Sequence, residues 1–145
     1  MRFLIQRVKS AHVKIDNKII SEINQGILVF IGIGDGDTKE QADYLINKLI
    51  NLRIFADKNM KTNLSIKDIN GQLMLVSQFT LYADCTNGNR PSFTKALNSE
   101  CANKLYQYIV NECSKKIQNV KEGVFGADMQ ISLINDGPFT IMIER

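Results

Sequence analysis

The sequence reads as one α+β domain spanning residues 1–145, a mixed α/β arrangement in which a curled, mostly antiparallel, barrel-like sheet carries two main helices. Three observations point there. Several segments of strand length show apolar alternation or an unbroken apolar run. Only two stretches repeat apolar residues at three-to-four spacing over helical length. The chain, 145 residues with 44% hydrophobic and 23% charged residues, has the length and apolar content for one buried core.

Phe3 to Ile15 alternates and is expected as the first strand. Asp16-Asn17 is a two-residue turn signal, and Lys18 to Ile23 returns as the hairpin partner. Asn24-Gln25-Gly26 makes the next turn. Gly26 to Ile33 is continuously apolar and reads as a strand buried on both faces. Gly34 to Thr38 is a loop, with Asp37 or Thr38 placed to cap a helix from about Lys39 to Leu52. Ala42, Leu45, Ile46, Leu49 and Leu52 form its apolar face. Asp57 to Asn70 is polar without a period, a loop or edge segment. Gln72 to Ala83 is the second strong strand, on which Gln78, Thr80 and Tyr82 would share one face and Ser77, Phe79 and Leu81 the other. After a polar loop at Asp84–Pro91, a helix spans about Ser99 to Ile117, with Ala102, Leu105, Tyr106, Ile109, Val110, Cys113 and Ile117 inward. Two strands, Gln130–Ile134 and Phe139–Ile143, close the chain around a turn at Asn135-Asp136-Gly137-Pro138.

The residue inventory excludes several chemistries. There is one histidine, His12, and three cysteines, Cys85, Cys101 and Cys113. The usual His/Cys metal site cannot be assembled from these, so no metal and no cofactor is implied. A Ser-His-Asp triad could only be built around His12. An odd cysteine count without CxxC spacing implies reduced, mostly buried thiols. Cys85 follows a strand, as a nucleophile can, but its one possible base lies far away in sequence. The net charge of +3 permits an RNA or phosphate partner without demanding one. Gly32-Ile33-Gly34-Asp35-Gly36-Asp37 sits where a phosphate loop would sit. It lacks a third glycine at 37 and a Gly-Lys-Ser/Thr ending, and its carboxylates would repel phosphate, so it reads as a connecting turn. The N-terminal apolar run is broken by Arg7 and Lys9, unlike a signal peptide, and no stretch approaches the roughly 18 apolar residues of a membrane helix. The expected location is the cytoplasm.

Two segments carry the functional signal. Ser77-Gln78-Phe79-Thr80-Leu81 places polar side chains in an otherwise apolar strand, where they must find partners. Asn135-Asp136-Gly137-Pro138-Phe139-Thr140 holds one of only two prolines, beside a glycine that tolerates unusual backbone geometry. Together these resemble the Ser-Gln-Phe-Thr-Leu and Asn-x-Gly-Pro-x-Thr motifs of the D-aminoacyl-tRNA deacylases. The likeness extends along the chain through Gln6-Arg7-Val8, Gly88-Asn89-Arg90-Pro91-Ser92-Phe93 and Phe125-Gly126-Ala127-Asp128-Met129. Phe139 departs conservatively from the valine more common at its position.

The resemblance implies a deacylase-family fold and hydrolysis of the ester between a D-amino acid and the 3′-terminal adenosine of tRNA, with glycine mischarged on tRNA also cleaved. It implies a homodimer in which a cis Gly137-Pro138 pair enters the partner's site and faces the amino acid Cα, with Arg7 holding the pair. Ser77, Gln78, Phe79 and Thr80 would form the catalytic segment, with backbone N–H groups near Phe79 and Thr80 stabilising the oxyanion and the tRNA's own 2′-hydroxyl assisting. Thr80 is assigned to positioning, because no residue is at hand to deprotonate it; a nucleophilic role is the alternative. Phe125 and Met129 would wall the terminal adenine, ordinary core being the alternative. Two rival readings are a relative that edits L-alanine mischarged on tRNA, whose branch replaces the motif's serine and phenylalanine, and a non-catalytic tRNA-binding module.

Overall fold

The structure is a computed structural model describing residues 1–145. Its organising element is β1 (Arg2–Ile15), which pairs antiparallel along one edge with β3 (Gly26–Gly32) and then β2 (Lys18–Ile23), and along the other edge with β8 (Gln130–Glu144). The β1–β2 turn is Asp16-Asn17, both at positive φ (49° and 63°), as a two-residue hairpin requires. β3 pairs with β6 (Gln72–Ser77), and β6 with β7 (Val120–Glu122), both parallel. The sheet is mostly antiparallel, as expected; its two parallel pairings arise because α1 (Lys39–Asn51) and a two-stranded hairpin of β4 (Phe55–Ala56) and β5 (Thr62–Leu64) cross over between β3 and β6, and the second long helix between β6 and β7. That hairpin occupies part of the polar stretch read as loop or edge.

The sheet curls because β2 leans back on β6 and β7. Ser21 Oγ donates to the Glu122 carbonyl, and Asn24 N donates to Gln72 Oε1 at 2.7 Å. Val8, Ala11, Val13, Ile23, Leu28, Met74 and Val76 fill the curl. The larger core lies between the other sheet face and the helices, α1 and α2 (Ser99–Ser114). Thr38 caps α1 in a capping box with Gln41, and the Asn98 side chain caps α2 by accepting from Cys101 N at 3.0 Å. β3 has all but one of its residues buried, as its unbroken apolar run implied.

Two expectations fail. The strand expected to end at Ala83 ends at Ser77 and gives way to a 3₁₀ turn, Phe79–Tyr82. The two closing strands are one 15-residue strand, β8, rather than a hairpin. β1 is long enough to template all of it. Val8 pairs with Asn135 and Gln6 with Thr140, so two steps along β1 match five along β8, and Asp136–Phe139 stand out of the ladder as a bulge. A proline, which has no N–H to donate, fits such a bulge better than a ladder position.

Gly26 opens β3 between Val8 of β1 and Gln72 of β6. A Cβ there would lie 1.8 Å from the Gln72 carbonyl oxygen. Gly26→Ala is therefore expected to cost about 3 kcal/mol or more, beyond the usual overpacking range, read as a lower midpoint in urea unfolding.

Candidate active site

The site begins where β6 runs out of partner. β3 and β6 pair from Gly26↔Gln72 to Ile31↔Ser77, and Gln78 N donates a last bond to Ile31 O at 2.7 Å. The chain then turns, with Leu81 N donating to Gln78 O (3.3 Å) and Ala83 N to Thr80 O (3.0 Å). The alternating faces expected for a strand do not exist beyond Ser77. The cause lies in β3 and its exit. A Cβ on Gly32 would stand 2.9 Å from Leu81 Cβ, and one on Gly34 2.5 Å from the Tyr82 ring. Gly32-Ile33-Gly34, read as a connecting turn, is the seat on which the 3₁₀ turn rests. The two-residue spacing of those glycines, facing one motif, was the available signal.

Ser77, Gln78 and Phe79 line a mostly apolar cavity of about 600 Å³, with Phe125 and Met129 among its other walls. That is a size typical of small-molecule sites. Phe93, which closes the Gly88–Phe93 segment of the family likeness but was given no role there, packs edge-on against Phe79 with ring centroids 5.0 Å apart. Its loop is pinned at its base: Asp84 N and O exchange bonds with Ser92, and Lys95 Nζ meets Asp84 Oδ2 at 2.9 Å. Bonds from Thr86 and from Lys95 hold the Asp84 carboxyl well below the usual carboxylate range. Phe125 is half-buried between the cavity and the core. It lines the cavity and also tilts against Tyr106, whose buried hydroxyl donates to Leu75 O at 2.9 Å.

Thr80 is exposed and does not line the cavity; its Oγ1 accepts from Gln78 Nε2. His12 lies in a different recess with Glu22, Asn24 and Lys121, and its Nε2 is buried without a partner. It is in no position to serve Thr80. No three His, Cys, Asp or Glu side chains are grouped to hold a metal ion, and Asp128 is the one ionisable residue on the cavity wall. What the turn does offer is backbone. A 3₁₀ turn leaves its leading N–H groups without partners inside the turn. Here they belong to Phe79 and Thr80, and no side chain caps them.

Arg7, Gly137 and Pro138 lie elsewhere in the same chain, and none of them lines the cavity. The Gly137-Pro138 bond is cis, on the exposed bulge of β8. Asn135 braces the bulge from inside, its Oδ1 accepting from Phe139 N (2.6 Å) and its Nδ2 donating to Thr140 Oγ1 (2.7 Å). Arg7 braces it from β1. Its Nε donates to Asp136 O at 2.9 Å, its guanidinium lies 5.0 Å over the Phe139 ring, and another nitrogen donates to Ile54 O. Phe139, the residue that departs from the motif, is thus the surface on which Arg7 rests. Gly137 has φ 137°, and a Cβ there would meet Arg7 Nη2 at 3.0 Å. Only glycine fits both conditions.

Residues 4–144 match the D-Tyr-tRNA(Tyr) deacylase family. A D-aminoacyl-tRNA deacylase of Clostridium novyi (strain NT) is 51% identical over 144 residues, covering 99% of this chain and 97% of that protein. One from Thermosipho africanus (strain TCF52B) is also 51% identical with the same coverage. Among solved structures, the c-Myc DNA Unwinding Element Binding Protein superposes with a TM-score of 0.95 at 36% identity, over 100% of this chain and 99% of that one. A probable eukaryotic D-amino acid tRNA deacylase gives 0.85 at 18% identity over 99% and 98%, a likeness of fold alone.

The cysteines depart from the expectation of mostly buried thiols. Cys85 and Cys101 are exposed and only Cys113 is buried, where burial pushes its thiol up to about 12. Two thiols are therefore expected to react with a chromogenic disulfide reagent in the folded protein near neutral pH, and the third only in denaturant.

Proposed function

The chain belongs to the D-Tyr-tRNA(Tyr) deacylase family, and from that premise we propose how its site works on a D-aminoacyl-tRNA. Its activity is that of a D-aminoacyl-tRNA deacylase, a hydrolase of the aminoacyl ester bond, and its substrate is the charged tRNA. The observation that carries the site-level reading is the Ser77–Thr80 segment at the wall of an apolar cavity large enough for a nucleoside. The terminal adenine lies against Phe125 and Met129, where stacking contributes roughly 1–3 kcal/mol. The ester carbonyl meets the N–H groups of Phe79 and Thr80, which stabilise the oxyanion as it forms. Thr80 positions, held by Gln78, and the tRNA 2′-hydroxyl assists, since no side-chain base stands beside the turn.

The chiral filter is the Gly137-Pro138 pair of a second copy, supported by Arg7. In a single chain the pair is exposed and away from the cavity, and the outward face of β8 leaves Ile134 and Met142 exposed beside it. A homodimer brings the two motifs together and covers that face. L and D substrates carry the same groups, so discrimination rests on steric exclusion. A backbone aimed at Cα admits hydrogen and rejects a side chain, which is why glycine on tRNA is also cleaved. Ser77 and Phe79, both intact, separate this reading from the L-alanine editing branch. The protein acts in the cytoplasm, and no helix is long and apolar enough to cross a membrane.

D-tyrosyl-tRNA is expected to be hydrolysed at least about a hundredfold faster than L-tyrosyl-tRNA, about 2.7 kcal/mol of discrimination. Persistence of both esters would refute the activity; equal loss of both would refute the filter. Thr80→Ala is expected to keep at least about a tenth of the D-ester rate, and complete loss with tRNA binding intact would make Thr80 the nucleophile. Gly137→Ala is expected to lose D-ester activity at least about tenfold, with the protein sedimenting at twice its 16.4 kDa chain mass.

A further inference from the structure

The turn that carries the motif is held at its far end by one side chain that does not touch the cavity. We propose that Arg2 is a positioning residue for the deacylation reaction, fixing the Phe79 and Thr80 N–H groups through Leu81 and Tyr82. The proposal rests on the reading of the turn given under Proposed function.

Arg2 opens β1, between Gly32 of β3 and Glu144 of β8. Its Nη1 donates to the Leu81 carbonyl at 2.8 Å, its Nε donates to Glu144 Oε2 at 3.1 Å, and its guanidinium lies 4.7 Å over the Tyr82 ring. A planar fork can do all three at once, which a point charge cannot. The Leu81 carbonyl belongs to the last residues of the 3₁₀ turn, where carbonyls have no partner inside the turn, and Arg2 supplies one. The Tyr82 ring is caught between Arg2 and Gly34. Its hydroxyl donates at 3.4 Å to Asp37 Oδ2, which also accepts from Gly34 N at 2.7 Å. Burial and the nearby Asp37 push the Tyr82 hydroxyl up to about 12, so it stays a donor across the working pH range.

The turn is thereby fixed at both ends, by Ile31 O on Gln78 N and by Arg2 on Leu81 O. Nothing else clamps the far end by side-chain hydrogen bond except Tyr82 itself. Misplacing catalytic donors by about 1 Å can cost a hundredfold in rate. The Arg2–Glu144 ion pair is solvent-exposed, and such pairs add little to stability. The two effects therefore separate: Arg2 matters to the rate more than to the fold.

The test is a graded series, Arg2→Lys, Arg2→Gln and Arg2→Met, assayed on D-tyrosyl-tRNA alongside thermal unfolding. Arg2→Met is expected to lower kcat roughly ten- to hundredfold with KM within about twofold of wild type. Arg2→Lys, which can still donate to Leu81 O and sit over the Tyr82 ring, is expected to recover to within about fivefold of the wild-type kcat. Wild-type kcat in a folded Arg2→Met, a loss confined to KM, or no gain in Arg2→Lys over Arg2→Met would overturn the proposal. If Arg2→Met does not fold, Arg2→Gln decides by the same kcat criterion, wild-type kcat overturning it. An inactive wild-type protein would instead overturn the activity on which the proposal rests.

Discussion

The parallel pairing of β3 with β6 is the constraint on which the site depends. Six registered pairs carry the two strands side by side to Ile31 and Ser77, and the bond from Gln78 N to Ile31 O ends the ladder. Beyond that point β3 ends on Gly32 and its exit offers Gly34, neither with a side chain to fend off what lies over it. The motif chain folds down into that space as a 3₁₀ turn, and its leading N–H groups are left without partners inside the turn. A strand that continued to Ala83 would have spent those N–H groups on a neighbour. The candidate oxyanion donors thus exist because pairing stops at Ser77, and it stops there because the surface beneath is glycine.

β1 links this turn to the second motif. Arg2, at one end of the strand, reaches the turn through Leu81 O; Arg7, in its middle, reaches the bulge through Asp136 O. The register explains the second contact. Between Val8 and Gln6 the β8 chain carries three more residues than β1 can match, and Arg7 is the β1 residue standing opposite that excess. Its guanidinium occupies the space beside Gly137 that a Cβ would need. One strand therefore sets the geometry of both motifs, although in a single chain they lie apart.

Much of this was legible in the sequence. The apolar run of β3, the Asp16-Asn17 hairpin, both helices and a cap at Asp37 or Thr38, which the fold settles on Thr38, follow from periodicity and local turn chemistry. The 3₁₀ turn did not, because Phe79-Thr80-Leu81-Tyr82 has the composition of a strand, and the glycines that divert it lie more than forty residues earlier in the chain. The continuity of β8 was hidden for a related reason. Gly137-Pro138 has the local signature of a hairpin turn, and only the length of β1 turns it into a bulge. The contact of Phe93 with Phe79 was hidden because a lone aromatic in a polar loop gives no period that would place it. In each case a tertiary partner decided what local composition left open.

Under the proposed function the reactive groups lie in the backbone, and that changes which residues carry the activity. A side-chain nucleophile or base is lost with one substitution, whereas a backbone N–H remains whatever side chain it bears. Sensitivity then moves to the residues that set the path of the backbone: Gly32 and Gly34 beneath the turn, Arg2 at its end, Gly137 and Arg7 at the bulge. Under the proposed reading the same logic governs selectivity. A backbone wall cannot grip a particular side chain, so it accepts D-residues broadly and discriminates only by what it excludes at Cα. Glycine, with hydrogen in both positions, is the substrate such a wall has no means of refusing.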